Sequence, residues 1–357
     1  MIENPKESRW IRILLTIIAI PVIVIILKSL KAIFIPLVLA AFLNFVFAPL
    51  TAFLRKKNLH VYLIVLIMLV IMASIMAIIT IILGLATNNL ITGLPRYQDQ
   101  MTSLFNEFSV WFNNLAMTMD IAMEKIPGLD MSQLLSPGSF SISKTISGIM
   151  TTTLSIGWNI FLIIVFLMFM IAESGMLTKR LQKVLVKEDH ANTISTIANI
   201  QVQLQKYLTT KSIISLATAI VGMILMSLYG VDFVLICGIL LFVLNFIPNV
   251  GSIIASGIPI IICTLQSGVD FRTISFSLLI ISTQMLFGNV LEPKIQGDNL
   301  NLSPITVLIA LIFWGWVWGI VGMILAVPIT SGINIILKQF DPNNLVSAVI
   351  SGAEKKK

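Results

Sequence analysis

Long apolar runs with few internal charges alternate with short polar intervals along this chain. The runs cover Ile11–Leu27, Ile33–Leu54, Val61–Ala86 and Thr151–Ala172, then Ser212–Tyr229, Val231–Leu265, Ile274–Leu291 and Pro304–Leu337. A hydrocarbon core of about 30 Å is crossed by about 20 helical residues, each rising about 1.5 Å. The pattern therefore predicts an all-α, polytopic membrane protein with about eight apolar segments: six full spans and two broken ones.

The broken ones are identified by what interrupts them. Val231–Leu265 is too long for one upright helix, and its centre reads Ile247-Pro248-Asn249-Val250-Gly251. Proline removes an amide and clashes with the preceding turn at a cost of about 3 kcal/mol, and glycine adds about 1 kcal/mol. Backbone freed at membrane depth must then be satisfied by protein or by a wet cavity, so a hairpin is expected. The last run repeats the design around Gly315, Gly319 and Gly322. Its second arm, VGMILAVPI, echoes VGSIIASGIPI of the first hairpin, tying Val250–Ile260 to Val321–Ile329. Each match follows an ordinary span. If each hairpin re-enters the side it left, the two span-plus-hairpin units are inverted, the arrangement in which secondary transporters place a site near the midplane.

Two intervals have helical periodicity of another kind. Leu94, Tyr97, Met101, Leu104, Phe108, Trp111 and Leu115 recur at spacings of three and four, with Pro95 placed to open a helix. This stripe either packs on its own domain or the membrane surface, or forms a subunit contact that makes the protein a homo-oligomer. From Met176 to Tyr207, Ile194, Ile197, Leu204 and Leu208 share one helical face, as in a linker helix resting on the membrane surface.

Composition agrees with the pattern: of 357 residues, 57% are hydrophobic and 11% charged, against about 25% charged in soluble domains. The net charge of +7 does not indicate nucleic acid, because the basic residues cluster at span ends. Lys6, Arg9 and Arg12, then Arg55, Lys56 and Lys57, then Lys179, Arg180, Lys183 and Lys187 fall on one side if the first four spans alternate. Positive residues favour the cytoplasm, so the amino terminus is expected inside, and the inverted count also leaves Lys355, Lys356 and Lys357 there. Lys28 and Lys31 fall outside on this scheme. Cys237 and Cys263 lie in apolar runs, which argues against a disulfide framework or a metal site.

The motifs IPLVLAAFLNFVFAPL, KYLTTKSIISLATAIVG, LLFVLNFIPNVGSIIASGIP and GNVLEPKIQGDNLNLSPITVLIALIFWGWVWGIVGMILAVP together resemble the autoinducer-2 exporter family, a group of bacterial membrane proteins. The resemblance covers most of the chain and implies location in the bacterial cytoplasmic membrane. It also implies export of autoinducer-2 or sodium/proton exchange. Two positions depart from the family's habit: Gly288 stands where an acid often precedes the asparagine, and Ser303 where a histidine often precedes the proline. The expected organisation is a three-span scaffold (1–87), an extracytoplasmic helical segment (88–144), a fourth span (145–172), a cytoplasmic amphipathic linker (173–210), a transport core of two span-plus-hairpin units (211–338) and a cytoplasmic tail (339–357).

No catalytic, nucleotide or metal signature is present, so an enzyme is not expected and no cofactor is implied. An ion gradient, of H+ or Na+, is the expected driving force for moving a small polar solute, since one charge crossing about 100 mV gains roughly 2.3 kcal/mol. A passive channel or structural module is the competing class. The pathway candidates are Asn245, Pro248, Asn249 and Gly251 at the first hairpin tip, with Gln284, Asn289 and Glu292 along and after the sixth span. The two tip asparagines either cap broken helices or contact solute; Gln284 and Asn289 either join helices or line the pathway. Glu292 either pairs with Lys294 at the surface or turns toward a cavity beside Pro293, and Asp298 is expected at the interface. Helix breaks or hinges are expected at Pro259, Pro293, Gly297, Pro304, Gly315, Gly319, Gly322 and Pro328.

Overall fold

The structure is a computed structural model and describes residues 18–19, 21–97, 100, 103, 107, 110–111, 114, 157–173, 191–296, 302–340 and 350–351. Among the described residues the chain is helical, with a single isolated β-bridge between Leu302 and Ser351. Among the described residues six helices are long and apolar enough to cross a membrane, and two shorter apolar ones accompany them. Large apolar side chains such as Ile81, Leu278, Ile309 and Ile312 are more than half exposed. Water does not tolerate so continuous an apolar surface, and hydrocarbon does. This is a polytopic helical membrane protein.

Helices α1 (residues 21–29) and α2 (Lys31–Lys56) are divided by Leu30 alone. The Leu30 amide donates to the Ile26 carbonyl at 2.9 Å and the Phe34 amide to the Leu30 carbonyl at 3.0 Å, so helical bonding continues across the kink. The two spans expected here are thus not joined by a loop. Lys28, Ser29 and Lys31 interrupt the apolar pattern for a different reason: this is where the helix docks. The Lys28 ammonium lies 4.0 Å from the Trp316 ring centroid, and the Trp318 indole N–H donates to the Leu27 carbonyl at 3.0 Å.

Helix α3 (Val61–Gly93) runs past the expected end at Ala86 into a 3₁₀ turn at Leu94–Tyr97. With α2 and α4 (Gly157–Glu173) it encloses Ala40, Ile64, Met68, Leu167 and Ile171. Helix α5 (Ala191–Leu228) is continuous for 38 residues. The linker and span expected as separate units, with a boundary at residue 210, are therefore one rod, because no breaker separates their two periodic patterns.

After α5 the chain forms the first hairpin, α6 (Val234–Leu244) and α7 (Val250–Ser267), broken at Asn245–Asn249 as the proline and glycine require. Its base is closed by the Asp232 amide donating to Gln266 Oε1 at 3.2 Å. Helix α8 (Phe271–Met285), capped by Asp270, continues through a π-helical turn at Leu286–Leu291 into α9 (Glu292–Gln296). Helix α10 (Pro304–Phe340) begins with Pro304 behind Ser303, whose hydroxyl accepts the Thr306 amide at 3.1 Å. Proline fits that first position because its missing N–H would have had no helical partner. Gly319, with φ 66° and ψ −144°, divides α10 into two arms and makes the second hairpin.

The two tips share one packing device. A Cβ on Gly251 would stand 1.8 Å from the Leu244 carbonyl oxygen, and one on Gly322 would stand 1.9 Å from the Trp314 carbonyl oxygen. These glycines are the paired positions of the sequence echo, and each lets its returning arm touch the backbone of the outgoing one. The hairpins open toward opposite ends of the molecule. The base of the first lies beside Tyr97 and Asp232, while Ser303 and Asn334, at the base of the second, both meet the segment at residues 350–351.

Candidate functional site

The tip of the first hairpin and the side of α8 enclose a cavity of ≈ 780 Å³. That is the size of a small-molecule site. Asn245, Pro248 and Asn249 reach it from the tip, and Gln284, Asn289 and Glu292 from the rod opposite. These six residues lie in two groups separated in sequence, and the fold brings them around one cavity. Gly251 is not on its wall: it is buried behind the tip against Leu244.

Each side chain is positioned by an identifiable local cause. Asn249 has φ 58° and precedes α7; its side chain makes no cap bond, while its carbonyl accepts the Ser252 hydroxyl at 2.9 Å. Asn245, 4% exposed, is held between helices. Its amide nitrogen donates to Ser215 Oγ on α5 at 3.3 Å, and its oxygen accepts from Gln284 Nε2 at 3.2 Å. Gln284 Oε1 is a buried acceptor without a hydrogen-bond partner. Gln284 and Asn289 thus differ: the first joins helices and keeps one acceptor unused, and the second is exposed in the π-helical turn. A π-turn carries one residue more than the α-helix around it and re-aims the side chains that follow.

Glu292 follows that turn, and its partner is Lys211 rather than Lys294. Residues two apart on a helix point to different faces, so of the two alternatives for Glu292 the surface pair with Lys294 does not form. The Lys211 ammonium lies 2.7 Å from both Glu292 carboxylate oxygens, and the two side chains are 6% and 16% exposed. Lys211 also lines the cavity. It is not among the sequence candidates: it stands immediately before the run Ser212–Tyr229, at the edge of an expected span. The signal available was the unbroken helical pattern through Tyr207, which puts Lys211 inside a rod.

The expected breaks are distributed unevenly. Pro293 lines the cavity, Pro259 and Pro328 are accommodated within helices, and Gly315 lies against Met323. Gly297 and Asp298 lie outside the described residues. Of the proposed subunit stripe, Met101, Leu104 and Phe108 lie outside them too, as does the side chain of Leu94. Trp111 is exposed. Tyr97 turns into its own chain, with its ring edge-on to Phe233 and its hydroxyl donating to Asp232. Burial, then that hydrogen bond, push its hydroxyl pKa up to about 12.

Comparison with known proteins adds an independent line. Residues 13–341 match the family model described as AI-2E family transporter. The AI-2 transport protein TqsA of Escherichia coli is 28% identical over 349 residues, covering 95% of this chain and 96% of that protein. A Borreliella burgdorferi protein named "Putative transport protein" is 31% identical over 330 residues, covering 92% of this chain and 87% of its own.

Proposed function

The chain belongs to the AI-2E transporter family, and we propose that this multi-pass membrane transporter exports a small polar solute through the cavity at the first hairpin tip. The solute is an autoinducer-2-like signal or a related compound, following the name of the Escherichia coli relative. Transport is secondary, by alternating access coupled to a gradient of H+ or Na+. The observation that carries this reading is the convergence of a broken-helix tip and a polar rod on one cavity, in a fold whose two hairpins open toward opposite ends. Solute and ion sites in secondary transporters are built from such discontinuous helices.

The protein sits in the bacterial cytoplasmic membrane, with Arg55, Lys56, Lys57 and the carboxyl terminus in the cytoplasm. It assembles as a homo-oligomer through its outer segment. Flux of autoinducer-2 in reconstituted vesicles tests the transport reading, with proton and sodium gradients imposed one at a time. Saturable flux that responds to one gradient is expected, and it should stop when Ser252→Cys, on the cavity wall, is modified by a bulky thiol reagent. The native Cys237 and Cys263 are buried. Flux that never saturates and ignores both gradients would establish a passive channel instead.

A further inference from the structure

We infer that the Lys211–Glu292 pair is a charge filter, which keeps the cavity electrically neutral and thereby restricts it to solutes without net charge. This rests on the reading of the cavity as the solute site and adds the property that selects the solute. Among the described residues lining the cavity, Lys211 and Glu292 alone carry formal charge, and they carry opposite ones. The other polar groups of the wall are amides and hydroxyls, those of Asn245, Asn249, Gln284 and Ser252 among them, set between apolar side chains such as Ile253 and Met285.

An ion entering such a space loses hydration, a penalty that relaxation of the site does not remove. Only an uncommitted opposite charge offsets that loss. Neither member of the pair is uncommitted, since the ammonium contacts both carboxylate oxygens at 2.7 Å. A solute carboxylate would have to displace one that the fold already holds in place. A solute cation would likewise have to displace a tethered ammonium. A neutral solute displaces nothing and exchanges hydrogen bonds with the exposed wall amides of Asn249 and Asn289.

The filter predicts a change of class when one charge is removed. Glu292→Gln leaves an ammonium facing the cavity, and Lys211→Met leaves a carboxylate. The full-length protein in detergent, at fixed ionic strength, is heated with one of three probes of similar size: acetate, acetamide or methylammonium. For the wild type neither ion should raise Tm more than acetamide does. The Glu292→Gln variant should be stabilised by acetate alone and Lys211→Met by methylammonium alone, each by about 2 °C or more at saturating probe. The double variant should respond to neither ion. Because a lone buried charge can prevent folding, the exposed wall position gives a second route: Asn289→Lys should create the acetate response and Asn289→Asp the methylammonium response. A wild type that an ion stabilises as strongly as it does the variants would overturn the filter, as would added wall charge that leaves the probe response unchanged. Failure of the cavity reading looks different: autoinducer-2 flux would persist through the blocked Ser252→Cys protein, whatever the ion responses.

Discussion

Replacing Gly251 or Gly322 by alanine tests the shared hairpin design most directly. The added methyl carbon would lie 1.8 Å from the Leu244 carbonyl oxygen in one case and 1.9 Å from the Trp314 oxygen in the other, where real contacts essentially never fall below 3.0 Å. The arms must part by about 1 Å in either case, and backbone, unlike a side-chain tip, has no alternative rotamer to retreat to. Overpacking of this kind costs about 1–3 kcal/mol, and it overrides the gain of about 1 kcal/mol that alanine brings to a helix interior. Gly257 and Gly332 supply matched controls on the returning arms, since a Cβ at either meets nothing within 4 Å. Thermal unfolding of the four variants in one detergent is the assay. Gly251→Ala and Gly322→Ala should both lower Tm, whereas Gly257→Ala and Gly332→Ala should leave it unchanged or raise it. If Gly251→Ala and Gly322→Ala behave like their controls, the arms are not in backbone contact and the echo between the hairpins has no common structural cause.

Three further outcomes follow from other contacts. In a double-mutant cycle, Lys211→Met and Glu292→Gln should each destabilise by about 3–5 kcal/mol, and the double variant by far less than their sum, because each single change strands a buried charge; additive losses would mean the pair is not coupled. Tyr97 should titrate at about 12 by ultraviolet absorbance. Its folded pKa lies above the ordinary value of 10.0, so its contribution to stability is complete below pH 10 and is lost as pH rises toward 12; Tyr97→Phe should abolish that loss. The Asp270 carboxylate accepts the Thr273 amide at 2.8 Å, which lowers its pKa. Its stabilisation is therefore present above the ordinary carboxylate range and lost as pH falls through the folded value, and Asp270→Asn should keep the cap while flattening that acid dependence.

Hydropathy made the spans legible because lipid imposes one requirement on every residue of a span. Proline and glycine made the breaks legible because their backbone effects are local: Pro248 and Gly251 mark a tip, and the paired Gly322 marks another. Contacts between distant segments were not legible in the same way. Lys211 and Glu292 are 81 positions apart, and nothing in either local pattern specifies the other; Glu292 instead had Lys294 as its nearest opposite charge in sequence. The kink at Leu30 illustrates a different failure. Three polar residues between apolar runs signal a loop at a membrane surface, yet here Lys28 is accommodated on the face of Trp316 and the Leu27 carbonyl by Trp318. Hydropathy scores the side chain, not the aromatic partner that solvates it.

That same contact distinguishes the tips of two hairpins of common design, the first of which borders the cavity. The first tip is built from Asn245, Pro248 and Asn249 and faces the polar side of the α8 rod, where amides cannot close-pack without partners and space remains. The second is built from Trp314, Trp316 and Trp318, and the kinked first helix is seated on it. Indole rings fill volume and make their one polar contact at the rim, so a tip of tryptophans packs against a helix mainly through apolar surface. Gly251 and Gly322 preserve the hairpin geometry in both units, while the side chains around them have diverged into a wall and an anchor. If the units rock against each other, the pivot belongs at the second tip, where Trp314 and Trp318 are buried, and the opening belongs at the first. Replacing Trp318 by phenylalanine keeps the ring but removes its bond to Leu27, a net loss of about 0.5–1.5 kcal/mol. The expected result is altered transport with the solute's apparent affinity unchanged, because the cavity wall is untouched. A change in affinity alone would place the second tip at the binding site and refute the division of roles.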